Sequence, residues 1–490
     1  MKIKMFRLII AIILLFTINH VLAQTFNNYK HRIKSTFKQY KIKEVDNFNE
    51  YRNSINAEFA EYMRKKWPSY KIKQAIPIPS SPEPPTPVTK EIDNTSSNDH
   101  IPYNEICSAP KEVEQPQPAI PLPKPAPSIV PTFTFSFYGM TCEIPIENKH
   151  SFTLSDINEN CVADGWKILS SESYLPIISK CLEYRDNLNL CDWGFFRFVE
   201  QMTISFFSSS QLNEACLMQR YILTQSGYKV RIGRTENKLV LLLASKDIIY
   251  QHPYLYYGGY NYYLVDSSLS LSSINIFNHE FPKEQQFSLN STDLPLLPIT
   301  PSSNRKLQSR HNKEILINFS SNKNLIDYYN DYPRSSHFGI YSKVSISEHA
   351  KQQLYPILKR NIENKNEHIA ANILLHFVQT AFDYATDDKQ FGKERPLFSD
   401  ETLFYPYSDC EDRAILFSVL IHDLLGLDVV FLLYPGHLAT AVCFNEEVQG
   451  DHLYIEGKRY IVCDPTYINS NIGQAMPQFK KTSAEIIKTR

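Results

Sequence analysis

Three residues near the C-terminus are of types that together can attack a carbonyl carbon. Cys410 lies in Ser408-Asp-Cys-Glu-Asp-Arg-Ala-Ile-Leu-Phe, where a polar loop passes into an apolar segment typical of a helix. Unpaired N–H groups and the dipole at a helix start favour the thiolate, which is the nucleophilic form of cysteine. Glu411 and Asp412 would oppose the thiolate if they pointed at it, and we expect them on the solvent side of the first turn.

A thiolate of this kind needs a base to move its proton and a third group to orient the base. His437 opens a predicted strand after Tyr434-Pro-Gly, and Asp464 closes another one. Two neighbouring antiparallel strands can place these side chains together. Ala439 and Ala441, which are small, follow His437 on the same face, so we expect a helix to approach that face and bring Cys410 to the imidazole.

Each of these residues also has an ordinary interpretation. A cysteine at a helix start is usually structural or disulfide-bonded, and here Cys443 or Cys463 could be its partner. A histidine at a strand start is usually a polar edge residue, and an aspartate before Pro-Thr is usually a turn residue. The chain has nine cysteines, an odd number, so disulfide pairing leaves at least one thiol free.

The three motifs resemble, in their order along the chain, the transglutaminase-like superfamily of papain-related thiol enzymes. The resemblance covers about 370–477 and is carried by Asp409-Cys-Glu-Asp, Gly436-His437-Leu-Ala and Cys463-Asp464-Pro-Thr-Tyr, with support from Phe377-Val-Gln, Glu401-Thr-Leu and Ile472-Gly.

The resemblance implies that Cys410 is the nucleophile, His437 the base and Asp464 the residue that orients the imidazole. It also implies that Gln379, on the preceding helix, supplies a polar group near the oxyanion. The sequence departs from the family at two points: Ser408 stands where a glycine usually precedes the Asp-Cys pair, and no tryptophan follows His437.

The elements that must position these residues form an α+β domain at 346–490. Apolar periodicity predicts two helices, a loop from Asp387 to Pro406, and a third helix from Asp409 to Gly426. Four strands are predicted to follow, at 429–433, 437–444, 453–455 and 459–463. Helices followed by an antiparallel sheet are the layout that the family resemblance implies.

A second module is predicted at 134–275, with helices at 191–207 and 213–225 and strands at 228–232, 239–244 and 260–265. An ungapped alignment of Gly227 with Gly426 places Gln211 on Cys410 and Lys238 on His437. The alignment indicates a degenerate transglutaminase-like repeat without nucleophile or base, although chance likeness of a helix and a hairpin explains it equally well. Residues 276–345 are predicted to be β-rich.

The N-terminal part has a different character. Residues 1–23 read as a signal peptide, with early positive charge, a short apolar core and Val-Leu-Ala before the cut. Residues 24–75 form a short helical segment with Phe59, Met63 and Trp67 on one side, and residues 76–133 are a proline-rich linker of the polyproline II type. We therefore expect an exported protein, periplasmic, cell-surface or secreted, that is not integral to the membrane after cleavage.

Composition restricts the partners. Lys and Arg number 51 and Asp and Glu 52, and this balance argues against nucleic-acid binding. No cluster has zinc spacing and no glycine-rich phosphate loop occurs, so no metal or cofactor is expected. Asp383, Asp387 and Asp388 lack the regular calcium loop and are predicted to lie in a solvated loop.

The expected function is cleavage or transfer at amide bonds, as a peptidase, amidase or transamidase acting on a protein or cell-wall peptide. The alternative is a non-catalytic envelope or surface protein that uses its modules for binding.

Overall fold

The computed structural model describes residues 49–78, 97–109, 114–120, 122, 132–291, 293–335 and 337–489. Within these ranges the chain is mixed α+β, with two six-stranded sheets and helices packed against each of them. The predicted signal peptide lies outside the described residues, as does much of the proline-rich stretch. No helix in the described part of the chain combines the length and the hydropathy needed to cross a membrane.

The helices share ordinary start and stop signals, such as Asn or Ser at N-caps and a left-handed glycine after the last turn of α10 and α12. They are α1 (49–63), α2 (Glu159–Leu169), α3 (Leu175–Asn187), α4 (Asp192–Phe206), α5 (Leu212–Gln225), α6 (Lys323–Asn330), α7 (Phe338–Lys343), α8 (Glu348–Ile362), α9 (Glu367–Thr380), α10 (Asp387–Phe391), α11 (Ser399–Phe404) and α12 (Cys410–Leu425).

The strands are short and rich in β-branched and aromatic residues. They are β1 (Ser69–Lys71), β2 (Tyr103–Cys107), β3 (Phe133–Phe137), β4 (Met140–Ile144), β5 (Val230–Arg234), β6 (Leu239–Ser245), β7 (Tyr254–Tyr257), β8 (Tyr260–Leu264), β9 (Ser273–Phe277), β10 (Arg305–Gln308), β11 (Leu316–Phe319), β12 (Asp383–Tyr384), β13 (Tyr407–Ser408), β14 (Asp428–Tyr434), β15 (His437–Cys443), β16 (His452–Ile455), β17 (Lys458–Cys463) and β18 (Ala484–Lys488).

The two large sheets repeat one strand arrangement. The first runs β1-β9-β5-β6-β8-β7, and the second runs β2-β18-β14-β15-β17-β16. In each sheet an antiparallel hairpin, β5-β6 or β14-β15, is flanked by a later strand, β9 or β18, that pairs antiparallel with the first strand of the hairpin. The outermost pairs differ, since β1 is antiparallel to β9 whereas β2 is parallel to β18.

The helices follow the same repeat. In the first module α5 packs on α4 and on β6, and in the second module α12 packs on α9 and on β15. The helix and the hairpin are therefore related in space as the alignment of Gly227 with Gly426 relates them in sequence. This shared arrangement is what an internal repeat requires, and Gln211, the residue aligned with Cys410, lies at the start of α5 as its N-cap.

The N-terminal segment belongs to the folded body. Phe59, Met63 and Trp67, the three residues expected on one side, are all buried, and Phe59 lies between Trp166 and Phe277. The predicted linker at 76–133 contains β2, which pairs with β18 and extends the second sheet. Its sequence, Tyr-Asn-Glu-Ile-Cys, is proline-free, and this allows the backbone pairing that the flanking prolines exclude.

Two other regions differ from the sequence-based prediction. Residues 276–345 contain the hairpin β10-β11 but also α6 and α7, so the region is only partly β. The stretch from Asp387 to Pro406, predicted as a loop, contains α10 and α11. Both helices are too short for apolar periodicity to reveal, and α11 packs on α12 and α6.

A cluster of aromatic rings joins the modules. Phe398, which is 2% exposed, stacks on Tyr329 with ring centroids 4.2 Å apart. It also contacts Tyr341 at 4.9 Å and Tyr332 at 5.3 Å. One continuous core contains these rings, much of the first module and the start of α12, including Cys410. The start of α12 is therefore held by packing from both modules.

Replacement of Phe398 by alanine is expected to destabilise the protein by about 3–5 kcal/mol, because it removes a buried ring and leaves a cavity between the modules. Urea unfolding followed by circular dichroism measures the loss. Ile369→Ala is the matched control, since Ile369 is 43% exposed and its truncation should change stability by less than about 0.5 kcal/mol. Equal midpoints for the two variants would contradict the role given to the aromatic cluster.

Candidate functional site

Cys410 is the first residue of α12, and its side chain is 6% exposed. The helix starts there because Asp409 forms a capping box: its carboxylate accepts the N–H of Asp412, and the Asp412 carboxylate accepts the N–H of Asp409 at 3.4 Å. The backbone N–H of Leu438, in β15, lies beside the Cys410 sulfur and favours its thiolate form. All nine cysteines are free thiols, so the expected alternative of a Cys410 disulfide does not occur.

His437 and Asp464 lie together, as the motifs require. Nε2 of His437 and Oδ2 of Asp464 are 2.8 Å apart, and both side chains are buried. The other carboxylate oxygen, Oδ1, accepts the N–H groups of Thr466 at 2.9 Å and Tyr467 at 3.2 Å. Asp464 is thus both a turn residue and a partner of the imidazole, and the turn holds the carboxylate in position for the histidine.

The thiol and the imidazole are not hydrogen-bonded to each other. The Cys410 sulfur donates to Oε2 of Glu411 at 3.0 Å, and Nδ1 of His437 is buried without a hydrogen-bond partner among the described residues. Nδ1 is the ring nitrogen nearer the main chain, and the next residue in the chain is Leu438, whose N–H lies beside the sulfur. The sulfur therefore lies beside the backbone of the residue that follows His437.

The packing of α12 on the sheet differs from expectation. Ala414 and Ile415 of α12 pack in one core with Leu438, on the face of β15 opposite to His437. Ala439 and Ala441 lie in a separate core on the other face of the sheet. The helix therefore approaches the face that carries the large residues, because larger apolar side chains provide the greater buried area.

An aromatic residue that the motifs did not reveal covers the imidazole. Phe479, which lies between β17 and β18, stacks on His437 with ring centroids 4.9 Å apart and an interplanar angle of 7°. Tyr434 stacks on the same phenyl ring at 4.7 Å. An aromatic ring thus covers His437 although no tryptophan follows this histidine in the sequence. Phe479 has no fixed spacing from the three motifs, so the sequence did not predict this contact.

Gln379 has a different role from the expected one. Its Nε2 donates to the carbonyl oxygens of Asp464 at 3.1 Å and Tyr467 at 2.8 Å, and it also contacts Ser470. Its Oε1 accepts the N–H of Asn469 at 3.2 Å. The amide therefore holds the loop that follows Asp464, and its donors are directed at that loop rather than at an oxyanion.

The acidic residues beside Cys410 are buried, contrary to the prediction that they face solvent. Asp409 and Glu411 are each 4% exposed, and Asp412 is fully buried. Asp387, predicted in a solvated loop, is 2% exposed, whereas Asp383 and Asp388 are exposed. The reason is tertiary: α10 packs its first turn against the start of α12, and sequence periodicity carries no information on that contact.

Four carboxylates converge at this point. Asp387, Glu394, Asp409 and Glu411 each offer an oxygen, and these oxygens lie within 4.8 Å of one another. Oδ1 of Asp409 and Oε1 of Glu411 are buried without hydrogen-bond partners among the described residues. Arg413 provides little compensation, because its guanidinium donates to the carbonyl oxygens of Gln379 and Phe382 and to the hydroxyl group of Ser408.

The electrostatic consequences affect the thiol. Burial raises the pKa of the Cys410 thiol well above its usual value, and the charges of Glu411 and Asp409 raise it further. Burial and the charge of Asp409 likewise raise the pKa of Glu411 to about 7. Burial also raises the pKa values of Asp387 and Asp409. The helix dipole at Cys410 is therefore opposed by neighbouring negative charge.

Such a cluster must bind protons or a cation, because bare carboxylates at this separation repel one another in a poorly hydrated site. The donor set suits calcium, which prefers carboxylate oxygens. Two oxygens on one calcium ion lie at most about 5 Å apart, since each Ca–O distance is about 2.4 Å. Asp387, Glu394, Asp409 and Glu411 therefore fit a divalent cation, although the sequence alone predicts none.

The first module carries an ion pair at the corresponding place. Nζ of Lys238, which precedes β6, lies 2.8 Å from Oδ2 of Asp266, which follows β8. His437 is the first residue of β15 and Asp464 directly follows β17, so the two pairs lie at similar ends of their strands. Gln211 is the N-cap of α5, where Cys410 begins α12. The first module thus has a half-exposed ion pair beside its hairpin and a glutamine in place of a cysteine at the start of α5.

Calcium is expected to raise the unfolding temperature relative to protein treated with chelator. A ligand present at 100 times its dissociation constant stabilises the folded state by about 2.7 kcal/mol. Asp387→Asn should weaken calcium binding by about ten-fold or more, because it removes one charged ligand. The same substitution should change the stability of the chelated protein little, because burial and the neighbouring acids raise the pKa of Asp387 and the protonated carboxyl is already neutral. Differential scanning fluorimetry with a calcium titration measures both effects.

Asp388→Asn provides the matched control, since it makes the same chemical change one residue away on the exposed face of α10. Its calcium response should equal that of the wild type. If calcium leaves the unfolding temperature unchanged in the wild type, or if both variants respond alike, the buried carboxylates do not form a cation site.

Comparison of the chain with protein-family models, with curated proteins and with solved structures finds no match. Conclusions about function therefore depend on the residues of the site themselves: a buried thiol at a helix start, an adjacent imidazole–carboxylate pair and a cluster of acids around the thiol.

Proposed function

We propose that this protein is a thiol enzyme that acts on amide bonds, with Cys410 as nucleophile, His437 as base and Asp464 as the residue that orients the base. The observation that carries the proposal is the 2.8 Å contact between Nε2 of His437 and Oδ2 of Asp464, which leaves Nδ1 buried and without a hydrogen-bond partner among the described residues. An imidazole held at one nitrogen and free at the other is the arrangement that a general base needs.

In the proposed reaction Nδ1 of His437 accepts the proton of the Cys410 thiol as the sulfur bonds to the carbonyl carbon. The carbon–nitrogen bond then breaks, and the amine leaves with the proton from His437. Water or a second amine attacks the thioester, passes its proton to His437 and restores the thiol. Formation of the catalytic pair requires the thiol to turn from Glu411 to His437, a rotation about the side-chain bond of Cys410.

Neutralisation of the carboxylates around Cys410 supports that rotation. A proton on Glu411, or a cation among the acids, removes the negative charge that raises the pKa of the thiol. The nucleophile would then regain the advantage of its place at the helix start. In this proposal, occupancy of the acidic cluster governs the reactivity of Cys410.

The proposed setting is outside the cytoplasm, with protein or cell-wall peptide as substrate. The N-terminal residues that read as a signal peptide and the proline-rich stretch support export. Proteins and cell-wall peptides are the amide-containing molecules that are accessible to an enzyme in that compartment. The family resemblance of the three motifs leaves hydrolysis and transamidation as equal alternatives.

A second candidate function is non-catalytic binding in the cell envelope or at the cell surface. The burial of Cys410 and its hydrogen bond to Glu411 favour it, because the thiol is not in contact with its base. In that case the paired modules would provide a binding surface, and substitution of Cys410 would leave the function unchanged.

Acylation by p-nitrophenyl acetate separates the two candidates. The enzyme should release a burst of p-nitrophenolate equal to one thiol, with the acetyl group on Cys410 located by peptide mass spectrometry. Cys410→Ala should abolish the burst, and His437→Ala should slow it by about 100-fold or more, because general base assistance is lost. The reaction is followed in calcium and in chelator, so that both states of the acidic cluster are sampled.

Cys443 is the internal control, because it is half-buried on the same strand as His437 and should be acylated at the same rate in every variant. Acylation of Cys410 that is as slow as that of Cys443, or that is insensitive to His437→Ala, would falsify the enzymatic proposal and leave the binding function.

A further inference from the structure

A cavity of about 410 Å³ lies at the junction of the modules. Its volume is in the range of small-ligand sites. Phe338, Leu433 and Ile487 form an apolar wall, and Tyr250 of the first module closes another side. The polar lining consists of few groups, among which Arg334 and His337 are basic and Glu394 and Glu485 acidic.

Two residues that line the cavity are neighbours of groups around Cys410. Glu394, in its wall, belongs to the carboxylate cluster that includes Asp409 and Glu411, the neighbours of Cys410 in sequence. Leu433, in another wall, is the register partner of Leu438, whose N–H lies beside the sulfur. Because Cys410 itself is 6% exposed, a substrate must approach it through a space of this kind.

Arg334 is a buried cation in the wall of this cavity. Its side chain belongs to a residue that is 8% exposed, and it has no carboxylate ion-pair partner among the residues that the structure describes. Glu401, whose charge acts on Arg334, is paired with Arg395 instead. The guanidinium donates only to backbone carbonyl oxygens at the end of α6, at 3.3 Å to Tyr329 and at 3.5 Å to Asn330.

A buried guanidinium with two long hydrogen bonds is poorly compensated. Burial and the positive charge of Arg395 lower the pKa of Arg334, while the charge of Glu401 partly offsets this effect. Buried charges are normally paired, because a buried charge loses its hydration free energy and only an opposite charge or strong hydrogen bonds compensate that loss. A carboxylate that enters the cavity would supply the missing partner, and arginine binds a carboxylate through two parallel N–H···O bonds.

We propose that Arg334 binds the free carboxylate of a peptide substrate in this cavity, so that the enzyme acts on amide bonds close to a peptide C-terminus. The inference rests on the proposed function of Cys410 and adds the substrate class. The apolar wall of Phe338, Leu433 and Ile487 receives the side chain of the terminal residue.

The acidic groups of the cavity determine the orientation of the peptide. Glu485 accepts a hydrogen bond from the thiol of Cys107 at 2.9 Å, and Glu394 belongs to the acidic cluster. Both repel a carboxylate and attract N–H donors, so the peptide places its carboxylate at Arg334 and its N–H groups toward the glutamates. The bond to be cleaved then lies on the Cys410 side of the cavity.

A neighbouring groove offers a route of entry. It shares Tyr250 and Arg334 with the cavity and is also lined by Lys393 and Asn330. Lys393 adds a second positive charge along this route, and its Nζ lies 3.3 Å from the side-chain oxygen of Gln251. Glu200, Asp266 and Asp331 also line the groove and balance its positive charges, so the preference for a carboxylate arises at Arg334 and not along the route.

The test uses two ligands that differ only in the carboxylate, N-acetyl-L-alanine and N-acetyl-L-alaninamide. Isothermal titration calorimetry on the full chain should show that the acid binds roughly 10- to 100-fold more tightly than the amide, the ratio expected for a charge-assisted pair. Arg334→Met should abolish this preference, and Arg334→Lys, which keeps the charge, should retain part of it. Arg310→Met, a change at an exposed arginine, should leave the preference intact.

Protection of Cys410 relates the binding to the nucleophile. N-Acetyl-L-alanine should slow alkylation of Cys410 by iodoacetamide in the wild type but not in Arg334→Met, while the amide should have no effect in either protein. Equal binding of the two ligands, or unchanged preference in Arg334→Met, overturns the carboxylate site. If N-acetyl-L-alanine binds more tightly than the amide but does not slow alkylation of Cys410, the carboxylate site exists but does not belong to the substrate site.

These outcomes are distinct from failure of the proposed function. If p-nitrophenyl acetate does not acylate Cys410 but the acid still binds through Arg334, the enzymatic proposal fails and an anion site remains. If acylation depends on His437 but the two ligands bind alike, the enzyme stands and the substrate class is wrong.

Discussion

Burial of the first turn of α12 is the constraint on which the site depends. Asp409, Glu411 and Asp412 are all nearly inaccessible, and the Cys410 thiol lies among them. Taking several carboxylates out of water costs several kcal/mol per charge unless each is compensated. Part of the compensation is local, since the capping box uses Asp409 and Asp412, and the N–H of Leu397 donates to Asp412 at 2.9 Å. The remaining oxygens require a proton or a cation.

This constraint relates the state of the nucleophile to its surroundings. The thiol donates to Glu411 while the imidazole of His437, held by Asp464, keeps a free nitrogen. The same carboxylates that raise the pKa of Cys410 are those that a cation would neutralise. Structural stability and thiol reactivity therefore respond to the same event at the acidic cluster. The cavity that contains Arg334 adjoins this cluster through Glu394.

The two modules show how one architecture can carry or lack chemistry. Both sheets have the same central strand order, and each has a helix packed on the hairpin. The pair of Lys238 and Asp266 in the first module stands where His437 and Asp464 stand in the second. The first module contributes to the surroundings of Cys410: Tyr250 lines the cavity, and the shared core holds the start of α12. The fold alone does not specify activity, which depends on the side chains placed at these positions.

The sequence by itself determined the elements that have strong local signals. The helix that starts at Cys410 and stops at Gly426, the hairpin strands and the partnership of His437 with Asp464 follow from periodicity, a left-handed glycine and motif order. Only the tertiary structure decided which face of β15 receives α12, where Gln379 directs its amide, and that Asp387 and Glu411 are buried together. These outcomes depend on contacts between residues far apart in the chain, and burial at such contacts carries no local periodic signal. The charge environment of Cys410 is for this reason a property of the packed molecule.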